Sequence, residues 1–170
     1  MTAGSARPRG VVLRGQVWAG GDARVLPEGV VVVAADGTVL RLGPATEVDV
    51  PLELPTFGGA GHWVGPGLVD AHVHLVFDAG SDPVRSYRAL DHEGRLRVAL
   101  ANAQVAIRAG ITTVRDLGAP LACIAEAAAT IARGEAPGPD IVHAGASITR
   151  VGGHLGMFGG EVRDAREARA

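Results

Sequence analysis

The chain has 170 residues, 47% of them hydrophobic, with a formal net charge of −2, a pI near 6.3 and a mean hydropathy of +0.22. That is enough apolar material for one domain or two small ones and argues against disorder, while the near-neutral charge gives no electrostatic reason to expect nucleic acid or an anionic membrane as partner. No apolar run reaches the ~18 residues of a membrane span, and Met1 to Gly10 lacks the apolar core of a signal peptide, so a cytoplasmic protein without a membrane partner is expected.

Residues 1–9 read as a disordered tail. From Gly10 the texture is β: Val11–Leu13, Gln16–Trp18, Gly29–Ala34 and Thr38–Leu42 are short apolar or β-branched runs separated by Gly-Gly-Asp, Pro-Glu-Gly and Asp-Gly. Asp36-Gly37 between two such runs predicts a hairpin, and the whole stretch predicts a small antiparallel sheet. Pro44 to Gly61, with Pro51, Pro55 and Gly58-Gly59, reads as an irregular connection leading through His62–Val64 to the next strand. Pro66-Gly67 marks a turn, and Leu68 to Leu75 is an apolar run of buried-strand length. Its alternation places Asp70, His72 and His74 on one face.

After Leu75 the period changes from 2 to 3.6. Asp78–Asp91 reads as a polar loop, and Glu93–Ala109 as a helix burying Leu96, Ala99, Leu100, Ala103, Ala106 and Ile107, with Asp91 as cap and Gly110 as stop. Ile111–Val114 predicts a second strand, Leu121–Arg133 a second helix stopped by Gly134, and Ile141–Ile148 a third strand. The single cysteine, Cys123, falls in that Ala-rich helix and reads as a buried structural thiol. Strand, helix, strand, helix, strand predicts parallel βαβ units with right-handed crossovers, whose active sites gather at the C-terminal strand ends. No Gly-x-Gly-x-x-Gly follows the first of these strands, which argues against a dinucleotide-binding domain.

Six histidines in 170 residues yield roughly 0.2 His-x-His pairs by chance, so His72-Val73-His74 is informative mainly through its context. Two imidazoles projecting together from a strand end can supply part of a transition-metal site, since neutral imidazole is the commonest protein ligand for such ions. Pro66, Gly67, Leu68, Val69, Asp70, His72 and His74 match the first-strand signature of the amidohydrolase superfamily, which this chain resembles. Thr112-Thr113-Val114-Arg115-Asp116-Leu117-Gly118 is similar to the same superfamily, especially its prolidase-like dipeptidases and imidazolonepropionases.

The resemblance implies a fold and a chemistry. It implies an α/β chain in two parts: residues 10–64 as the N-terminal portion of a β-sandwich, and 65–170 as the first three strands of an incomplete (β/α)₈ TIM-type barrel. The implied function is metal-dependent hydrolysis of an amide-like C–N bond in a small molecule or dipeptide. His72 and His74 would hold one or two divalent ions, zinc above all, with Asp70 orienting a ligand imidazole. Because side chains alternate, only one of Arg115 and Asp116 can look into the barrel, and the other pairs outside. His143 reads as a core histidine. His154, in the glycine-rich run Val151–Gly160, resembles a substrate or transition-state contact of the prolidase-like group; the other reading is a surface-loop histidine.

A barrel of this kind needs ~250 residues, and only three strands are legible. Two-metal members of the superfamily usually add a carboxylated lysine from the fourth strand, later histidines and an aspartate general base. All sixteen basic residues here are arginine, so that lysine has no candidate. The expectation is therefore the N-terminal portion of a longer enzyme, with Glu161–Ala170 opening a third helix and either the missing barrel portion or a second copy as partner. The other reading is a non-catalytic remnant or one chain of a split protein.

Overall fold

The computed structural model describes residues 10–21 and 24–169, and the tail expected at residues 1–9 lies outside them. The chain divides into two compact units, one ending at Pro66 and one running from Gly67.

The first unit is a four-stranded sheet of β1 (Gly10–Trp18), β2 (Val25–Ala34), β3 (Val39–Pro44) and β4 (Thr56–Val64), in the order β3-β2-β1-β4. β1 and β2 pair antiparallel from Gly10↔Ala34 to Trp18↔Val25. The Asp36-Gly37 turn joins β2 to β3 as the sequence predicts: Gly37 has φ +89°, and the Asp36 carboxylate accepts the Thr38 N–H at 2.9 Å. Val12, Val30 and Val32 are buried under Ala45, Val48, Val50 and Leu54 from the β3–β4 connection. Two expectations are corrected. Residues 56–61 are strand rather than irregular chain, and β4 runs parallel to β1, from Val12↔Thr56 to Val17↔Val64, so the sheet is mixed. Gly58, Gly59 and Gly61 masked the strand, because glycine-rich stretches read as turns although a strand with an irregular register accommodates them.

The second unit carries a three-stranded parallel sheet of β5 (Leu68–Val73), β6 (Ile111–Asp116) and β7 (Asp140–His143), in that order. β5 and β6 are linked through α1 (Pro83–Arg88) and α2 (His92–Arg108), and β6 and β7 through α3 (Leu121–Ala132). Asp91 caps α2 by accepting the Gly94 N–H at 2.8 Å, and Ala99 and Ala103 on its predicted inner face are fully buried. With Ile124 and Ala127 of α3 they cover Val114 of β6, while Leu96, Leu100 and Ile141 pack around them. One face of the sheet is thus layered by helices. On the other, Val69 pairs in register with Thr113, and Arg115 with Val142; Val69, Arg115 and Val142 are exposed.

Three further expectations change. The supposed polar loop contains α1, whose signal was Asp82-Pro83: Asp82 accepts the Arg85 N–H at 3.0 Å and proline occupies the first turn. The third strand ends at His143, not Ile148, because Gly145 turns the chain with φ +73° and its carbonyl accepts the Ala119 N–H. Glu161–Val162 is a strand, β9, pairing parallel with β8 (Thr149–Arg150), and only a short 3₁₀ turn at Glu167–Arg169 follows. No described helix is long and apolar enough to cross a membrane.

Candidate metal centre

β5 delivers the two imidazoles at the C-terminal end of the parallel sheet. Between Asp70↔Val114 and Val73↔Asp116 three steps along β5 match two along β6, so the strand bulges there and re-aims its side chains. Strict alternation from Asp70 to His74 is lost, but the histidines stay together, with ring centroids 5.5 Å apart in an edge-to-face arrangement at 73°. Two imidazoles bound to one tetrahedral zinc at about 2.0–2.1 Å have centroids roughly 5 Å apart, so the spacing of the pair is compatible with two ligands of one such ion.

His72 is exposed, whereas His74 is half-buried against Phe77 and Phe158, at centroid distances of 5.8 and 6.1 Å. His74 Nδ1 lies 2.8 Å from the Gly118 carbonyl oxygen. A carbonyl only accepts, so Nδ1 carries the proton and Nε2 keeps its lone pair free for a ligand. The Asp70 Oδ1 accepts the backbone N–H of His72 at 3.1 Å.

The sheet separates the second strand's two charged residues. Arg115 stands on the face the helices leave uncovered, and Asp116 is fully buried on the covered one. The Asp116 carboxylate accepts Leu75 N–H at 2.8 Å and Gly118 N–H at 2.9 Å. Burial pushes its carboxyl above the ordinary 3.8, and the two amides together with the His74 and His143 imidazoles partly offset that rise. His143 sits beside Asp116 in register; its Nδ1 is buried with no hydrogen-bond partner among the described residues.

The loop after β7 approaches from the other side. Phe158 packs on Phe77 and Tyr87 at 5.5 and 5.3 Å, and Leu155 holds φ +60°, an unusual backbone for a branched residue. His154 on this loop is exposed and lines a cleft of about 360 Å³ with Arg88, Met157 and Glu161. Two residues shape the site without announcing themselves in the sequence. Asn102 of α2 donates to the carbonyls of Leu75 and Phe77 at 2.8 and 2.7 Å, pinning the turn after β5. Ser147 donates to the Leu117 carbonyl at 3.0 Å. The available signal for Asn102 is an amide within Val98–Ile107, where Gln104 is the one other polar side chain.

Residues 63–169 match the Amidohydrolase family. The chain belongs to this family. An imidazolonepropionase from Shewanella denitrificans is 46% identical over 78 residues, which cover 42% of this chain and 17% of that enzyme. A molinate hydrolase structure superimposes with a TM-score of 0.72 at 28% identity, covering 84% of this chain and 31% of that one. A Xaa-Pro dipeptidase structure gives 0.71 at 23% identity over 91% and 38%, a likeness that bears on the fold alone. The chain thus spans between 17% and 38% of the length of these three relatives. The amidohydrolase assignment, the parallel sheet and the mixed α/β architecture agree with the sequence reading. Among the described residues no group of three or more His, Cys, Asp or Glu side chains is disposed to hold a metal, so the two imidazoles stand as a pair.

Proposed function

We propose that this chain contributes the first two metal ligands, His72 and His74, to an amidohydrolase that hydrolyses a C–N bond of a small molecule or dipeptide. The observation that carries the reading is the imidazole pair itself, 5.5 Å apart, with His74 Nδ1 committed to Gly118 so that Nε2 is free. In this reading β5, β6 and β7 are the first three strands of a TIM-type barrel within residues 65–170, and their uncovered face is its interior. The sheet within residues 10–64 is the N-terminal portion of a β-sandwich, in keeping with the exposure of Phe57 and Trp63 on its edge strand β4.

His72 and His74 would hold a divalent ion, zinc by donor type, which would supply a Lewis acid for the scissile carbonyl and for water. The chain's own residues do the rest of what is assigned here. His74 enters pre-oriented by the Gly118 carbonyl, and the Asp70 carboxylate fixes the backbone that carries His72. Arg115, on the uncovered face, and His154, at the rim of its cleft, are assigned to substrate binding or to stabilising negative charge on the carbonyl oxygen. The remaining ligands and the general base come from polypeptide outside this pair of strand-end histidines.

Zinc content measured after dialysis against a defined free-zinc buffer tests the assignment. In a protein that carries the remaining ligands, the wild type is expected to retain zinc, and His72→Ala and His74→Ala each to lose it. Unchanged zinc in both variants would remove the site.

A further inference from the structure

Among the described residues Asp116 is the one charged side chain that is fully buried, and no arginine pairs with it. Burying a carboxylate costs several kcal/mol unless its lone pairs are filled. Both oxygens are filled here by backbone amides, and which amides they are decides what the carboxylate does. Oδ2 takes Leu75 N–H, the residue directly after His74, and Oδ1 takes Gly118 N–H. Gly118 then accepts His74 Nδ1 through its own carbonyl. The backbone on the C-terminal side of His74 and the only hydrogen-bond partner of its ring, among the described residues, are therefore tied to one side chain.

We infer that Asp116 is a positioning residue: acting through Gly118, its carboxylate holds the His74 imidazole in the Nδ1–H form that presents Nε2 to a ligand. The functional meaning rests on the metal reading above, but the physical claim does not. A histidine ring takes the tautomer that its fixed hydrogen bond dictates, whereas a ring without such a bond favours Nε2–H. A carboxylate suits the task because it only accepts. Asparagine has the same shape but turns an N–H₂ group toward one of the two amides, releasing either Leu75 or Gly118. The neighbouring residues make the geometry sensitive: a methyl at Gly118 would overlap Ser147 Oγ and lie 3.3 Å from His74 Cε1.

The test needs no metal and no activity. Ring-nitrogen correlation spectra of the ¹⁵N-histidine-labelled chain, with His74 assigned by its loss in His74→Ala, report the tautomer directly. Wild-type His74 is expected as Nδ1–H, and folded Asp116→Asn as a mixture dominated by Nε2–H. Ser147→Ala removes a neighbouring hydrogen bond that lies off the path, so it is expected to lower stability and leave the tautomer alone. Three results would overturn the inference: an Nε2–H wild type, an unchanged tautomer in folded Asp116→Asn, or an equal shift in Ser147→Ala. Should Asp116→Asn not fold, Asp116→Glu keeps both acceptors one methylene further out and is expected to give a mixed tautomer; a pure Nδ1–H signal there overturns it equally. Zinc titration of the same proteins separates this claim from the metal assignment. Positioning predicts a 10–100-fold loss of zinc affinity in Asp116→Asn. A wild type that binds no zinc even when the remaining ligands of the barrel are supplied refutes the metal centre and leaves the tautomer result standing.

Discussion

Replacing Gly118 with alanine should destabilise the second unit through Ser147 and the ring of His74. The added methyl would overlap Ser147 Oγ and touch His74 Cε1 and Phe158 Cδ2 at 3.3 Å each. Ser147 can yield only by rotating away from the Leu117 carbonyl, giving up a 3.0 Å hydrogen bond with a net value of about 0.5–1.5 kcal/mol. Pressure on the two rings adds an overpacking cost of about 1–3 kcal/mol. The stiffer unfolded chain returns about 0.4–1 kcal/mol, leaving a net loss of roughly 0.5–4 kcal/mol. Urea unfolding should show this as a lower midpoint at constant slope. The decisive variant is Gly118→Ala combined with Ser147→Ala, which removes the overlapping oxygen. Its loss should fall short of the sum of the single losses by about 1 kcal/mol. Additivity within about 0.5 kcal/mol would mean the two side chains do not share that space, and the reasoning would fail.

Asn102→Ala strips the donors from the Leu75 and Phe77 carbonyls and should cost about 1–3 kcal/mol, read by thermal melting; a change below about 0.5 kcal/mol would show that water replaces the amide freely. The Asp116 carboxyl lies above its ordinary 3.8 in the fold, so the native state holds that proton more tightly than the unfolded chain does. Its contribution to stability is present below about pH 3.8 and is lost as pH rises through the raised value. Wild type minus Asp116→Asn should therefore show stability falling as pH rises above about 3.8, and a rising difference would reverse the sign. Cys123 is fully buried and burial pushes its thiol up, so a disulfide reagent should react with it only in denaturant; fast reaction in the native protein would contradict the packing of α3. His72 is exposed and its ring makes no hydrogen bond among the described residues, so His72→Ala should stay within about 0.5 kcal/mol of wild type, as scanning calorimetry would show.

The fold was legible wherever local chemistry and periodicity agreed. Asp91, the spacing from Leu96 to Ala106 and Gly110 define α2 within a residue at each end, and Asp36-Gly37 defines its hairpin. Where the two signals conflict, glycine and proline mislead, because they report nothing about the partner strand. Gly58, Gly59 and Gly61 read as loop, yet pairing with β1 makes them strand. Ile141 to Ile148 reads as one strand, yet it is broken at Gly145, whose carbonyl is claimed by Ala119. Asp82-Pro83 was visible and missed because the segment around it is polar. No local rule reports that a parallel partner lies forty residues away, which is why β4 beside β1 could not be read.

The site divides along the same line. The imidazole pair could be read because its two members are two residues apart on one strand, and no tertiary information is needed to bring them together. What orients them could not be read, because each support crosses from another element: Gly118 from the end of β6 to His74, Asp116 to Leu75, Asn102 from α2 to the same turn. These contacts depend on the β5–β6 register, and a bulge between Asp70 and Val73 alters that register by one residue. Strict alternation would have aimed Asp70 at the imidazoles; the bulge turns it to the backbone of His72 and leaves the half-buried ring to Gly118. The charge that the sequence could place only as one of two neighbours, Arg115 or Asp116, is resolved by the helix layer. A carboxylate can lie under that layer because two amides end there, whereas five guanidinium donors would find no such partners. Position in sequence therefore names the ligand candidates, and register decides which of them is held still.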